Sequence, residues 1–259
     1  MKAEYRFHLQ HRKGTFGGWK RVGKVKIVAL GDIHCRVGTD HLIDDLIGAL
    51  NGEFDVLILA GDLTDTGLPE EAEELVRQLE PYCSRTISIL GNHDHESGKF
   101  DDVCQVIRES GITLLDGNVC EVGNVGFIGT KGFCGGFDNL LVQPFGEAAL
   151  KTFIRTSIDE TVNLGNALAK LSDCEHKVAI LHYAPIKATL EGEPPELFPF
   201  LGTSRLANAI DPHGVDVILH GHAHHGSPTG YTPANIPVHN VSRFVQMKHT
   251  GKPYCIIEL

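Results

Sequence analysis

Three apolar runs in the first third of the chain each close on polar residues. Val25-Lys-Ile-Val-Ala-Leu-Gly leads to Asp32 and His34; Val56-Leu-Ile-Leu-Ala-Gly leads to Asp62; Ile87-Ser-Ile-Leu-Gly leads to Asn92, His93 and Asp94. Asp32, Asp62 and Asn92 are spaced 30 residues apart. The pattern predicts strands over 24–31, 55–60 and 85–90, separated by helices over about 39–51, 69–80 and 99–109. Short links between such elements argue for parallel βαβ units. Thr39 precedes a helix whose Leu42, Ile43, Leu46, Ile47 and Leu50 share one face at 3.6-residue spacing. Pro69 and the acids Glu70, Glu71, Glu73 and Glu74 stand where a helix start favours them, so the acidic run reads as a solvated first turn.

After Ser110-Gly111 the rhythm changes. Short strands are expected over 112–115, 118–123 and 125–130, separated by Gly and Asn in the manner of an antiparallel meander. Residues 131–146 read as a loop over something, followed by a long helix over 147–171. Strands resume over 176–182 and 215–220, with a Pro-rich stretch over 184–200 between them, and the chain closes on strands near 236–241 and 253–258. Two of these later runs also end on candidate ligands, at His182 and at Gly221-His222-Ala223-His224. The expectation is one domain over 1–259 with a basic extension over 1–24, its strands in two sheets and its helices outside.

Composition narrows the class. The chain has 259 residues, 42% of them apolar, as in an ordinary globular protein. No apolar run approaches the roughly 18–20 residues that span a bilayer, and no apolar signal-peptide core is seen. Seven cysteines without tight pairing read as free thiols, and the chain is expected to be soluble and cytoplasmic. Cys35, beside His34, is expected to point away from it as a packed thiol.

The net charge of −10 is uneven. Residues 1–26 hold eight Lys or Arg against one Glu, leaving 15 basic against 32 acidic residues beyond them. So acidic a body disfavours general nucleic acid binding. In the basic arm, the Tyr5, Phe7, Leu9 alternation suggests an added edge strand.

Strand ends are rigid places to hang ligands, and in open α/β sheets ligands bind outside the carboxyl ends of strands. Asp32 and His34, at i and i+2 of an extended segment, would project to the same side. His222 and His224 repeat that spacing. Asp62 lies between flanking units with two carboxylate oxygens, a natural bridge between two cations, and Asn92 supplies a neutral oxygen. Two metals about 3.5–4 Å apart can hold a shared hydroxide for in-line attack at phosphorus. Imidazole, carboxylate and amide donors suit Mn, Fe or Zn better than Mg or Ca. His93 would donate to the departing oxygen or to a nonbridging phosphate oxygen, its ring oriented by Asp94.

Together these residues resemble the calcineurin-like metallophosphoesterase family. Its blocks stand in order as Asp32-Ile-His34, Gly61-Asp62-Leu-Thr-Asp65, Gly91-Asn92-His93-Asp94, His182 and Gly221-His222-Ala-His224. The resemblance covers residues 25–224 and implies an αββα fold of two packed mixed sheets flanked by helices. It also implies one metal on Asp32, His34, Asp62 and His224, and a second on Asp62, Asn92, His182 and His222. His93 takes the role of catalytic acid with Asp94 behind it, and Asp65 supports the shell.

The expected activity is hydrolysis of a small phosphate ester, with a nucleotide among the candidates. A phosphodiester is favoured because the chain's length resembles bacterial cyclic nucleotide phosphodiesterases. A phosphomonoesterase of the same fold is the alternative. A nuclease is opposed by the acidic body, and a noncatalytic module by the complete ligand set. His220 is expected to point away from the metals, and His225 to be exposed or in a supporting shell. Phe133, Phe137, Phe198 and Phe200 are candidate walls, and Lys131 or Arg205 a candidate phosphate contact.

Overall fold

A computed structural model describes residues 24–259, so the edge strand expected at Tyr5, Phe7 and Leu9 lies outside the described residues. In chain order the first elements are β1 (Lys26–Leu30), α1 (Leu42–Ile47), β2 (Val56–Ala60), α2 (Pro69–Leu79), β3 (Thr86–Ile89), α3 (Phe100–Glu109) and β4 (Thr113–Leu114). There follow β5 (Asn118–Val122), β6 (Val125–Thr130), α4 (Ala148–Leu168), β7 (His176–Leu181), α5 (Phe198–Leu201) and α6 (Ser204–Ile210). The chain ends on β8 (Val217–His220), β9 (Thr229–Tyr231), β10 (Pro237–Asn240), α7 (Arg243–Thr250) and β11 (Cys255–Glu258).

Two mixed sheets result, ordered β11-β1-β2-β3-β4 and β5-β6-β7-β8-β10-β9. The apolar runs are continuous because both faces of their strands are covered. From β1, Ile27 and Ala29 enter a core shared with Phe127, Val178, Ile180, Val217 and Leu219 of the facing sheet. Val28 and Leu30 point the other way, against Ile43, Leu46, Leu75, Leu79, Val103 and Ile107 of α1, α2 and α3. The second sheet turns Ile128, Ala179, Leu181 and Ile218 toward Leu164, Leu168, Leu206 and Ile210 of α4 and α6. Four layers, helix, sheet, sheet, helix, follow from these three cores.

Several expectations are corrected. The segment over 112–130 is not one meander. β4 pairs parallel with β3 at the edge of the first sheet, while β5 and β6 form an antiparallel hairpin in the second. The Gly-rich break marked a change of sheet, which strand periodicity cannot distinguish from a turn within one. The first helix starts at Leu42, because His41 sits at φ 60, outside helical space, and it gives way to a 3-10 turn at Gly48–Leu50 where Ile47 leaves helical backbone at φ −129. Glu71 is buried rather than solvated, and its carboxylate accepts the main-chain N–H groups of Thr66 (2.9 Å) and Leu68 (3.3 Å), capping α2. The helices α5, α6 and α7 and the strand β9 were not anticipated.

Candidate metal centre

The parallel strands β1, β2 and β3, with β7 and β8 from the facing sheet, release their chains at one edge of the sandwich. Beyond β1 and β2 the main chains stay paired without being extended. The N–H groups of Asp32, His34 and Cys35 donate to the carbonyls of Gly61 (3.0 Å), Asp62 (2.9 Å) and Leu63 (3.0 Å). Asp32 (φ 60), His34 (φ 49), Asp62 (φ 49) and His222 (φ 69) all occupy the left-handed region. The expected i, i+2 convergence on an extended segment is thereby corrected: Asp32 and His34 come together through left-handed turns. Each such residue costs on the order of 1–3 kcal/mol, strain of a kind that gathers at functional sites.

Glycines make room for the side chains. A methyl group at Gly91 would collide with the Asp62 carboxylate, and one at Gly61 with the His182 ring.

Every histidine and aspartate named as a ligand falls into one of two groups that share Asp62. Donor atoms of Asp32, His34, Asp62 and His224 lie within 4.8 Å of one another, as do those of Asp62, His182 and His222. Asn92 joins the second group, with its Oδ1 2.9 Å from His182 Nε2. The two oxygens of Asp62 face different groups: Oδ1 lies 3.3 Å from His182 Nε2 and Oδ2 3.8 Å from His34 Nε2. Both His34 Nε2 and Asp62 Oδ2 are buried without a hydrogen-bond partner. Such atoms are rare in a protein interior unless something occupies the space between them. A cation fits, since both atoms offer lone pairs and the donor set is imidazole, carboxylate and amide.

The tautomers are readable from the main chain. A carbonyl only accepts, so His182 Nδ1–H donates to Ala60 O (2.9 Å) and turns Nε2 toward Asp62 and Asn92. The same logic has His93 Nδ1–H donating to Asp65 O (2.7 Å), leaving Nε2 uncommitted. The His93 and His34 rings meet edge-on, 4.6 Å apart.

Charge is finely balanced here. Burial alone would push the Asp32 pKa up, yet the His224 hydrogen bond and the neighbouring imidazoles hold it well below the usual carboxylate value. Burial disfavours a charged His182, but the Asp62 carboxylate overrides it and raises the pKa to about 9. Burial drops His222 to about 3, so this ring is neutral. The His222 main-chain N–H also donates to the Asp32 carboxylate at 3.0 Å, tying the two sheets together.

Asp94 does not orient His93, and that expectation is corrected. It is fully buried, and its carboxylate accepts from the N–H groups of Leu63 (3.2 Å), Thr64 (2.8 Å) and Gly91 (2.8 Å) and from Thr64 Oγ1 (2.6 Å). It ties the loop after β2 to the loop after β3. Burial, then the charge of Asp62, raises its pKa to about 6.

Asp65 stands behind His34, 3.6 Å from Nδ1, and is bonded to Arg36 Nε at 2.8 Å. His220 is a satisfied core residue between Gly221 O and Thr189 Oγ1, and His225 is exposed. Cys35 is buried in the outer core, its thiol pushed up to about 12 by burial. Arg205 braces the 131–146 loop through Val142 O (2.8 Å), and Lys131 reaches Gly132 O. Phe137 is buried, and Phe133 packs on Phe153 and Tyr183, whereas the exposed Phe200 lends its carbonyl to His222 Nε2 at 3.3 Å.

Sequence reasoning missed the segment after β10. Asn240 Nδ2 donates to Ala223 O (2.8 Å) and Arg243 Nε to Asp32 O (2.9 Å), while the Phe244 ring lies 4.7 Å from that of His224. The signal available was the one used elsewhere, a strand ending on polar residues.

Residues 25–226 match the model of the calcineurin-like phosphoesterase family, and the chain belongs to that family. It is therefore a hydrolase of phosphoric esters, in a family that works with divalent metal ions. Among solved structures, phosphopantetheinyl hydrolase from Mycobacterium tuberculosis superposes with a TM-score of 0.62 at 13% identity, over 90% of this chain and 95% of that one. The protein TT1561 of Thermus thermophilus gives 0.55 at 13% identity, over 86% and 91%. A putative 5'-nucleotidase from Staphylococcus aureus gives 0.52 at 17% identity, over 84% of this chain and 48% of that one. At these identities the likeness is one of fold. Comparison with curated proteins returned no match. Among the described residues, no helix is long and apolar enough to cross a membrane.

Proposed function

We propose that the chain hydrolyses a small phosphodiester at two metal ions, one held by Asp32, His34, Asp62 and His224, the other by Asp62, Asn92, His182 and His222. The observation that carries this reading is Asp62, whose two oxygens face separate donor groups, one of them across a gap lined by unpartnered lone pairs. When bound, such ions lower the pKa of water toward neutrality and offset charge at phosphorus, and this donor set suits Mn, Fe or Zn.

The chain's own residues supply orientation and protons. The Ala60 carbonyl fixes the His182 tautomer, and the Asp65 carbonyl fixes that of His93. With Nδ1–H kept on Asp65 O, a doubly protonated His93 would give its Nε2 proton to the departing ester oxygen and be left as the neutral Nδ1–H tautomer. Asp94 keeps the His93 loop in register with the loop carrying Asp62.

Charge favours a diester. Arg36, which flanks the centre, has its charge paired with the Asp65 carboxylate, whereas Arg243, bonded to the Asp32 carbonyl, has no carboxylate partner among the described residues. A diester carries one negative charge, whereas a monoester carries nearly two at neutral pH. Seven free cysteines fit a reducing compartment, and we place the protein in the cytoplasm.

Parallel assays of bis(4-nitrophenyl) phosphate and 4-nitrophenyl phosphate with the manganese-loaded chain test this reading. Faster turnover of the diester supports it, and preference for the monoester overturns the diester assignment.

A further inference from the structure

The segment from Asn240 to Met247 lies beyond the residues matched by the family model, yet its first helical turn lands on the loop of Asp32. Arg243 is fixed there at two points, its main-chain N–H on Gly31 O (3.1 Å) and its Nε–H on Asp32 O (2.9 Å). The ordering cost of a long side chain has thus been met before any ligand arrives. The four N–H donors on its two terminal nitrogens make no hydrogen bond among the described residues, and neither nitrogen is sealed from solvent. A planar fork of this kind matches phosphate oxygens two at a time.

Phe244 stands beside it. The guanidinium carbon lies 4.6 Å over the Phe244 ring, and that ring lies 4.7 Å from His224 and 6.2 Å from His34. The ring is 40% exposed, and Met247, one turn further along α7, is 51% exposed. The helix is held from its other side by Val245 and Gln246, both buried, with Gln246 Nε2 bonded to Asn240 O at 2.6 Å. Its apolar rim is therefore not needed to anchor it. An exposed aromatic ring and a fixed, underused guanidinium lie together at the edge of a centre that cleaves phosphate esters. Ring and anion are the two halves of a nucleotide.

We propose that Arg243 and Phe244 form the specificity subsite of this phosphoesterase, the guanidinium binding a phosphate oxygen of a nucleotide and the Phe244 ring packing against its base. The proposal rests on the metal centre and activity assigned above. Because the subsite lies outside the family-matched segment, it is a place where this chain can select its own substrate from the shared chemistry.

The test is calorimetric binding of adenosine 5'-monophosphate and of inorganic phosphate to the manganese-loaded wild type, Arg243→Gln, Arg243→Lys and Phe244→Ala, with metal content measured for each. The wild type should bind the nucleotide at least about 10-fold more tightly than phosphate, in keeping with base-aromatic stacking. Phe244→Ala should remove most of that difference and leave phosphate affinity within about twofold, since a ring does not bind phosphate. Arg243→Gln should weaken both ligands by roughly 10-fold or more, and Arg243→Lys should restore part of the loss, with metal content equal to wild type. Equal binding of the two ligands by the wild type would overturn the proposal. So would loss of metal along with affinity in Arg243→Gln, which would make Arg243 a brace for Asp32 alone. If the wild type hydrolyses neither nitrophenyl ester, the assigned function fails; if it hydrolyses one while these variants bind as the wild type does, only the subsite fails.

Discussion

Asp62 Oδ2 lies 3.8 Å from Nε2 of His34, and both atoms are buried without a hydrogen-bond partner. Two facing lone-pair donors repel each other until a cation enters between them. Metal should therefore stabilise the fold as well as serve the chemistry. At 100 times its dissociation constant, a ligand specific to the native state adds about 2.7 kcal/mol. For a chain of this size that corresponds to a rise in Tm of roughly 5–10 °C. Manganese or zinc added to chelator-treated wild type should give such a shift by scanning calorimetry, and Asp62→Asn should lose most of it. A Tm indifferent to metal would rule out Asp62 as a shared ligand.

Metal uptake should depend on pH through His182. Its pKa in the metal-free fold is raised to about 9, with burial opposing and the Asp62 carboxylate prevailing. The folded state therefore holds a proton that the unfolded chain gives up near 6.5. That contribution to stability is complete below about 6.5 and disappears as pH rises through 9. A metal ion needs the Nε2 lone pair and must displace this proton, so apparent affinity should climb between about pH 7 and 9. Titrations in buffers of different ionisation enthalpy should show proton release near pH 7 that falls to half at about pH 9 and fades above it. Constant, proton-free binding across that range would contradict it.

In the proposed reaction His93 serves the chemical step and holds no metal. With Nδ1–H on Asp65 O, its Nε2 is left to serve the ester oxygen. His93→Ala should lower kcat by about 10²–10⁴ for a diester whose leaving group is a weakly acidic phenol or an alcohol, and much less for bis(4-nitrophenyl) phosphate, at unchanged metal content. A leaving group that needs no proton should suffer much less, so the loss should grow as the phenol becomes less acidic. A uniform loss across phenols would assign His93 to binding phosphate instead.

The aspartates and histidines of the centre were legible in sequence because each closes an apolar run, and strand ends converge at one edge of a parallel sheet. Two sheets were expected, but not where the chain passes between them: the rhythm breaks near Ser110-Gly111, before β4, which still belongs to the first sheet, and a two-residue strand has no period. Nor did sequence show that Asp32, His34, Asp62 and His222 adopt left-handed backbone, because that conformation is imposed by the loops they pair with. Arg243 and Phe244 escaped for a related reason. Their 211- and 20-residue separations from Asp32 and His224 are closed by the β10 pairing with β8 and by the bonds of Val241 and Arg243 with the Gly31 main chain.

Asp94 is a structural tie whose removal should be felt in stability before chemistry. Its carboxylate gathers three main-chain N–H groups and the Thr64 hydroxyl, all from the two loops that carry Asp62 and Asn92. Asp94→Asn would turn an amide NH2 toward those donors and leave at least one buried and unpaired, at a cost of roughly 2–4 kcal/mol. Thr64→Val removes only the hydroxyl bond and should cost about 1 kcal/mol, with the double variant less than additive because the two share that bond. Burial and Asp62 raise the Asp94 pKa to about 6, so the metal-free fold binds a proton that the unfolded chain releases near 3.8. The stability of the metal-free wild type should accordingly fall as pH rises from about 4 to 6, and Asp94→Asn should flatten that slope. Urea unfolding of the two proteins across this range checks both points. Matching midpoints near pH 7 would show that the bonds of this carboxylate contribute nothing to holding the loops together.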